Sequence, residues 1–405
     1  MAEITEHDFT TEALEFLADN ARPRIEEKTG WGEGSDRVGL LSEKSVDQER
    51  SEVEAAKAWR HKIFDAGFAW ITGPAEQGGR ALPSSYERIY HDLEATFDTP
   101  SQSPFGIGLG MVAPTILAHA TSEVKDAYLR RLWRGEIVAC QLFSEPVAGS
   151  DLAGLQTTAE LDGDEWVVNG QKVWTSGAQF SDIGEIICRT DPDAPKHKGL
   201  SGFIVDMHAP GVEVRPLRQM TGGASFNEVF FTNVRVPASH LLADVNQGWT
   251  VALTTLMNER ASIGAGGGGG GAVPSARLVE LLHHLGRHTD PIVRQRLADI
   301  YINTKVSSYT SLRAMAKIKA GQLPGPEMSI AKLSLTQNLQ RTASLLSTVL
   351  GPRLIADNGE WGTYAWAEMV LGVAGIRVAG GTDEIMRNII GERVLGLSKE
   401  PGLSK

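Results

Sequence analysis

Gln141-Leu-Phe-Ser-Glu-Pro-Val-Ala-Gly-Ser150-Asp-Leu-Ala-Gly154 and Val168-Asn-Gly-Gln-Lys-Val-Trp174-Thr-Ser176 decide how this chain is read. Trp166-Val-Val168, then Asn169-Gly170, then Gln171 to Ser176 is a hairpin signal, because Asn-Gly supplies the positive φ of a type I′ turn. Apolar runs follow at Ile183 to Cys188, Phe203 to Val205 and Val229 to Phe231. Turn residues such as Asp191-Pro192-Asp193 and Ala209-Pro210-Gly211 separate them. Short strands at this spacing predict a compact β-barrel or sandwich over about residues 139–242.

Both flanks read as helix. Phe9, Ala13, Phe16 and Leu17 recur at helical spacing, and Asp47 to Phe68 is rich in Glu, Ala, Lys and Arg. Further helices are predicted at Ser84 to Phe97 and at Ser122 to Trp133, the latter with Val124, Leu129 and Leu132 turned inward. After Pro237, the stretches Gly248 to Arg260, Ile292 to Met315, Met328 to Leu350, Tyr364 to Ile376 and Thr382 to Leu395 have bundle lengths. The expected division is a helical domain at 1–138, a β domain at 139–242 and a four-helix-bundle-type domain at 243–405, an α+β fold class. The six glycines Gly266 to Gly271 interrupt this pattern. Each costs a helix about 1 kcal/mol relative to Ala, so a loop or kink closed by Pro274 is expected, with room for a bulky acyl group as the sharper reading.

Composition narrows the function classes. At 405 residues the chain exceeds what one core usually supports, and 41% apolar residues is ordinary for a globular protein. Met1 to Thr10 carries three acids and no basic segment, so no secretory signal is expected. Cys140 and Cys188 lack metal-like spacing, which suits a reducing, cytoplasmic setting. No apolar run is long enough to span a membrane. The net charge of -11 argues against nucleic acid as a partner.

The two quoted stretches, in this order and at this separation, resemble the flavin- and substrate-contacting strands of the acyl-CoA dehydrogenase family, and the likeness runs from about residue 55 to 397. The resemblance implies FAD as cofactor, an acyl-CoA substrate, and a helical, β-barrel, helical order of domains. It implies that Gln141, Phe143, Ser144, Trp174 and Ser176 line the isoalloxazine, that Ser150 lies near the CoA moiety, and that Gly149 permits close backbone approach. Further on, Gly381-Thr382-Asp383-Glu384 resembles the family's flavin-contacting loop and helix start, so Thr382 and Glu384 are expected cofactor contacts. Taken singly, these are turn, cap and core residues; together they point to α,β-desaturation of a thioester.

The base departs from the commonest family pattern. Many members place a glutamate directly before that Gly-Thr pair, whereas this chain has Gly380, which offers only a backbone N–H to the thioester carbonyl. Members resembling isovaleryl-CoA dehydrogenases carry the base on the first bundle helix, before an arginine. Asn258-Glu259-Arg260 stands there, so Glu259 is the expected base and Arg260 a nearby substrate-side or structural partner. The family's Arg-x-x-Phe-Gly stretch, which reaches an adjacent subunit's cofactor, has no match in Gly286 to Gln295. A homo-oligomer, dimer or tetramer, is still implied, with electrons leaving to an electron-transfer flavoprotein or equivalent acceptor. The competing readings are a catalytically silent subunit of a hetero-oligomer and a flavin oxidase or monooxygenase on the same scaffold.

Overall fold

The computed structural model describes residues 4–25, 30–40, 44–264, 275–319, 326 and 328–399. They group into two compact units, one drawn from Met1–Glu27, Lys44–Leu217 and Ser225–Thr255, the other from Lys28–Glu43, Arg218–Ala224 and Leu256–Lys405.

The first unit opens with helix α1 (Glu6–Asn20), capped by Thr5, whose hydroxyl accepts from Asp8 N. Phe9, Ala13 and Leu17, four residues apart, form its buried stripe. Strand β1 (Arg22–Pro23) leads to α2 (Val46–Asp65), started by a Ser45–Gln48 capping box. Helix α3 (Ser84–Glu94) is followed by β2 (Phe97–Asp98), antiparallel to β1. A π-helical turn, Gly108–Val112, runs into α4 (Ala113–His119). Helix α5 (Ser122–Arg134) buries Val124, Leu129 and Leu132 as its periodicity predicts, and ends at Gly135 in the left-handed region, φ 79°. A Cβ there would lie 2.6 Å from that of Arg60, so only glycine closes this helix.

The β part of this unit comprises β3 (Ala139–Leu142), β4 (Thr158–Asp162), β5 (Glu165–Ser176), β6 (Ile183–Arg189), β7 (Leu200–Asp206), β8 (Val212–Leu217), β9 (Phe226–Pro237) and β10 (Leu241–Leu242). The order is β10-β7-β6-β4-β5-β9-β8, with β3 parallel beside β6. Val229 and Phe231 of β9, and Val234 and Val236 beyond its irregularity at Asn233, join Val168, Cys188 and Phe203 in one core.

The expected hairpin at Asn169-Gly170 is not where the chain turns. β4 and β5 meet through Asp162↔Glu165, so the turn is Gly163-Asp164, with Gly163 at φ 68°. Asn169-Gly170 instead lies inside β5, where the register against β9 shifts. Asn169 Oδ1 accepts from Asn233 N at 2.8 Å, and a Cβ on Gly170 would sit 2.4 Å from Thr157 Oγ1. An Asn-Gly step serves a bulge as well as a turn, and the competing Gly163-Asp164 step took the turn.

Helix α6 (Gly248–Gly264) belongs to the first unit as far as Thr255. The second unit adds α7 (Ser275–His284), which the sequence reading did not single out, and α8 (Pro291–Lys319), α9 (Met328–Leu350), α10 (Trp366–Val378) and α11 (Asp383–Ile389), whose spans lie close to the predicted helices. Residues 266–271, the glycine run, lie outside the described residues. Leu278, Leu281, Leu346, Met369 and Trp366 share this unit's core. The Trp366 indole is fully buried and donates to Gly362 O at 2.9 Å. Among the described residues no helix is long and apolar enough to cross a membrane. Trp366→Ala removes the largest buried side chain of this core and is expected to lower stability by about 3–5 kcal/mol, read as a lower denaturant midpoint in near-UV circular dichroism.

Candidate active site

In the first unit, two segments of the β part are drawn together by a buried ion pair. Lys172, on β5, is wholly buried, and its ammonium donates to Glu145 Oε1 at 2.9 Å and to Phe143 O at 3.1 Å. Glu145 also accepts from the backbone N–H groups of Gln156 at 2.6 Å and Thr157 at 2.9 Å. Burial alone would raise the Glu145 carboxyl, but Lys172 and these amides outweigh it and hold the group below its ordinary range. Val173 N donates to Ser144 O at 2.8 Å, which completes the seam.

This seam places the residues expected to line a flavin. Gln141, Phe143 and Ser144 follow one another along and beyond β3; Phe143 is buried, Gln141 and Ser144 half-buried. On β5, a second register shift between Lys172 and Thr175 puts Trp174 at φ 61°, a conformation uncommon for a bulky residue. Its indole is turned outward, 61% exposed, with Phe226 edge-on at 6.0 Å. Asn227 fixes the far side, donating to Thr175 O at 3.1 Å and Gln179 Oε1 at 2.6 Å. Ser176, half-buried, ends the ladder opposite Phe226. Gly149 and Ser150 sit on the exposed loop after Glu145, where a Cβ on Gly149 would meet nothing within 4 Å. An exposed indole held in a strained conformation, beside half-buried hydroxyls and an amide, fits a flat apolar ring with a polar edge.

In the second unit, Gly380 and Gly381 form a left-handed turn, φ 64° and 88°, that leads to Thr382, the N-cap of α11, which accepts from Ile385 N at 3.2 Å. Lys332 of α9 holds this turn, donating to Gly381 O at 2.6 Å and Arg377 O at 3.2 Å. Buried Asp383 faces it, accepting from Thr336 at 2.7 Å and Arg377 Nε at 2.8 Å, with Lys332 at 3.6 Å. Burial opposes ionisation of Asp383, yet these partners bring the carboxyl below its ordinary value. Glu384 is exposed and paired with Arg387 at 3.2 Å. Glu259, on α6, is half-buried. The Arg260 side chain lies outside the described residues.

Three family models match in succession. Acyl-CoA dehydrogenase, N-terminal domain, matches residues 40–136; the middle domain 140–234; the C-terminal domain 246–395. The chain belongs to the acyl-CoA dehydrogenase family. It is 34% identical to acyl-CoA dehydrogenase IpdE1 of Mycobacterium tuberculosis over 97% of this chain and 98% of that one. It is 38% identical to acyl-CoA dehydrogenase FadE34 of the same organism over 83% of this chain and 46% of that one. Among solved structures it resembles the Tcur3481-Tcur3483 steroid ACAD, with a TM-score of 0.72, 25% identity and 98% of each chain covered. The ChsE4-ChsE5 complex from Mycobacterium tuberculosis gives a TM-score of 0.68 at 26% identity, covering 99% of this chain and 100% of that one. This acyl-CoA dehydrogenase is therefore an α+β, flavin-dependent oxidoreductase whose cofactor is FAD.

Lys172, Glu145, Lys332 and Asp383 were not singled out from sequence as functional residues. Lys172 and Glu145 stood inside the quoted stretches, and a lysine between inward-facing β5 residues was the available signal. Lys172→Met leaves the Glu145 charge buried without its cation, which costs about 3–5 kcal/mol. The expected result is apoprotein, read as loss of visible flavin absorbance after purification. Glu145 contributes stability above the ordinary carboxylate pKa and loses it as pH falls through its depressed folded value. The variant is therefore expected to unfold at higher pH than the parent during acid titration.

Proposed function

We propose that this enzyme desaturates an acyl-CoA at its α,β bond, giving the trans-2-enoyl thioester, with Glu259 as the base that takes the α-proton. The observation that carries this reading is paired: Gly380 has no side chain, and Glu259 is a half-buried carboxylate on the first helix after the β part. The backbone N–H of Gly380, in a turn held by Lys332, donates to the thioester oxygen and stabilises its enolate character. Gln141, Phe143 and Trp174 orient the flavin ring; Ser144, Ser176, Thr382 and Glu384 meet its polar parts, and Ser150 and Arg260 the substrate. FAD, when bound, accepts the β-hydride at N5. Electrons then leave to an electron-transfer flavoprotein or an equivalent acceptor.

The named steroid relative supports a polycyclic, ring-bearing acyl group as substrate. Anaerobic addition of a steroid-side-chain CoA thioester is expected to bleach the oxidised flavin faster than a linear acyl-CoA. Glu259→Gln is expected to slow bleaching by about 10²- to 10⁴-fold, the usual contribution of a positioned base, with flavin content unchanged. Full-rate reduction by that variant overturns the assignment. Rapid oxygen consumption without preference for CoA thioesters would instead identify an oxidase.

One face of α8 supports assembly with a second chain. Ile302, Val306 and Tyr309 recur along one side of it, 57%, 56% and 66% exposed, with Leu312 nearby at 63%. An apolar stripe of this kind supports burial against a second copy. Val306→Lys combined with Leu312→Lys is expected to lower the mass measured by analytical ultracentrifugation to that of a single chain. The two-chain names of the steroid ACAD and the ChsE4-ChsE5 complex favour one rival, a silent subunit beside a related chain. A flavin-loaded oligomer of this chain alone that turns over excludes it.

A further inference from the structure

Glu185 occupies the centre of β6, in a run (Ile183 to Cys188) that otherwise reads as a fully buried apolar strand. Its side chain has no exposed surface. In register it lies beside Gln141 of β3 and Ile204 of β7. No cation meets it. Residues 108–119, β3, β7 and α6 through Thr255 contain no Lys or Arg. The titratable groups of those elements are Cys140 on β3, whose thiol burial pushes up to about 12; Asp206 at the exposed end of β7; and His119 at the end of α4, which bonds Thr254 Oγ1 at 2.8 Å. On β6 itself, Cys188 is likewise pushed up to about 12 by burial, and Arg189 is committed to the carbonyls of Leu155 and Ala153.

What does meet Glu185 is a line of hydroxyls. Its Oε1 lies 2.6 Å from Thr255 Oγ1, which lies 2.9 Å from Thr115 Oγ1, and Thr115 donates to Met111 O at 2.9 Å in the π-helical turn. Thr255 Oγ1 is placed to donate to Glu185 Oε1 and also lies 3.2 Å from Val251 O. Each threonine has one hydroxyl hydrogen, so two hydrogens serve four contacts along this line, and a protonated Glu185 supplies a third. Glu185 Oε2 has no hydrogen-bond partner, so an ionised carboxyl here would be a buried charge met by a single hydroxyl. Burial raises this carboxyl to about 8, in keeping with the protonated form at neutral pH.

A carboxyl where an apolar side chain would pack breaks a local rule, and such breaks cluster at functional sites. Thr255 is on α6 one helical turn before Glu259, on the same side of the helix. Gln141, the register neighbour, is a proposed flavin contact. We propose that protonated Glu185 is a positioning residue for the dehydrogenation, fixing α6 through Thr255 and Thr115 and bracing Gln141 on β3. The inference rests on the reading of Glu259 as base.

The test uses the FAD-loaded, full-length enzyme. Anaerobic flavin reduction by a steroid-side-chain CoA thioester is measured from neutral to alkaline pH in the parent, Glu185→Gln and Thr255→Val. The parent rate is expected to fall as pH rises through the range where Glu185 ionises. Glu185→Gln, a neutral donor at every pH, is expected to keep at least half the neutral-pH rate and to lack the alkaline fall. Thr255→Val is expected to lose at least tenfold in rate with flavin content kept. Infrared difference spectroscopy gives a reading independent of activity: a protonated-carboxyl band at neutral pH that disappears on alkalinisation and is absent from Glu185→Gln. Melting temperature supplies the same sign, because the folded chain holds this proton longer than the unfolded one. Stability from Glu185 is greatest below the ordinary carboxylate pKa and falls as pH rises towards about 8, a slope Glu185→Gln should lack. An alkaline fall that persists in Glu185→Gln, a parent-like rate in Thr255→Val, or no carboxyl band at neutral pH overturns the proposal. Failure of the Glu259 reading looks different: reduction survives Glu259→Gln while the infrared band is untouched.

Discussion

The site-bearing half of the first unit depends on one buried ion pair, Lys172 with Glu145. An ammonium taken wholly out of water is tolerated only where its charge and its donors are met. Here a carboxylate meets the charge and Phe143 O takes a second donor, so the lysine ties three points of backbone together. Glu145 is fixed in turn by the amides of Gln156 and Thr157. Immediately after Lys172 the β5 ladder with β9 is broken, and Trp174 stands at the surface in a conformation uncommon for a bulky residue. The exposed aromatic surface thus lies next in the chain to the buried ion pair.

The second unit repeats the device. Lys332 gathers the carbonyls of Gly381 and Arg377 while Asp383 supplies the opposing charge. Two consecutive glycines at positive φ allow many conformations, and the lysine selects one. A compact ammonium with freely turning donors suits carbonyls that converge from different directions, whereas a planar guanidinium fork does not. In each unit, then, a segment proposed to touch flavin or thioester is held from behind by a buried lysine rather than by apolar packing alone.

Buried polarity of this kind is what local patterns in the chain could not resolve. Glu185 sat in a stretch read as an apolar strand, and nothing nearby in sequence announced Thr255 or Thr115 as its partners, 70 residues in either direction. The Asn169-Gly170 step shows the same limit at the backbone. Its preference for positive φ was legible, but whether that preference made a turn or a bulge depended on how β5 met β9 and on Thr157 lying against Gly170.

Helix positions and capping residues were determined by the chain itself, because a buried stripe such as Phe9, Ala13 and Leu17 and a cap such as Thr382 act within a few residues. The family, its FAD and the stretches that carry its chemistry were likewise present in linear order. Which strand follows which in the sheet, which lysines are buried, and where Trp174 turns outward were decided only by tertiary structure. Those features rest on partners tens of residues apart, whose charges and hydrogen-bonding groups have no cause to meet until folding removes the water between them.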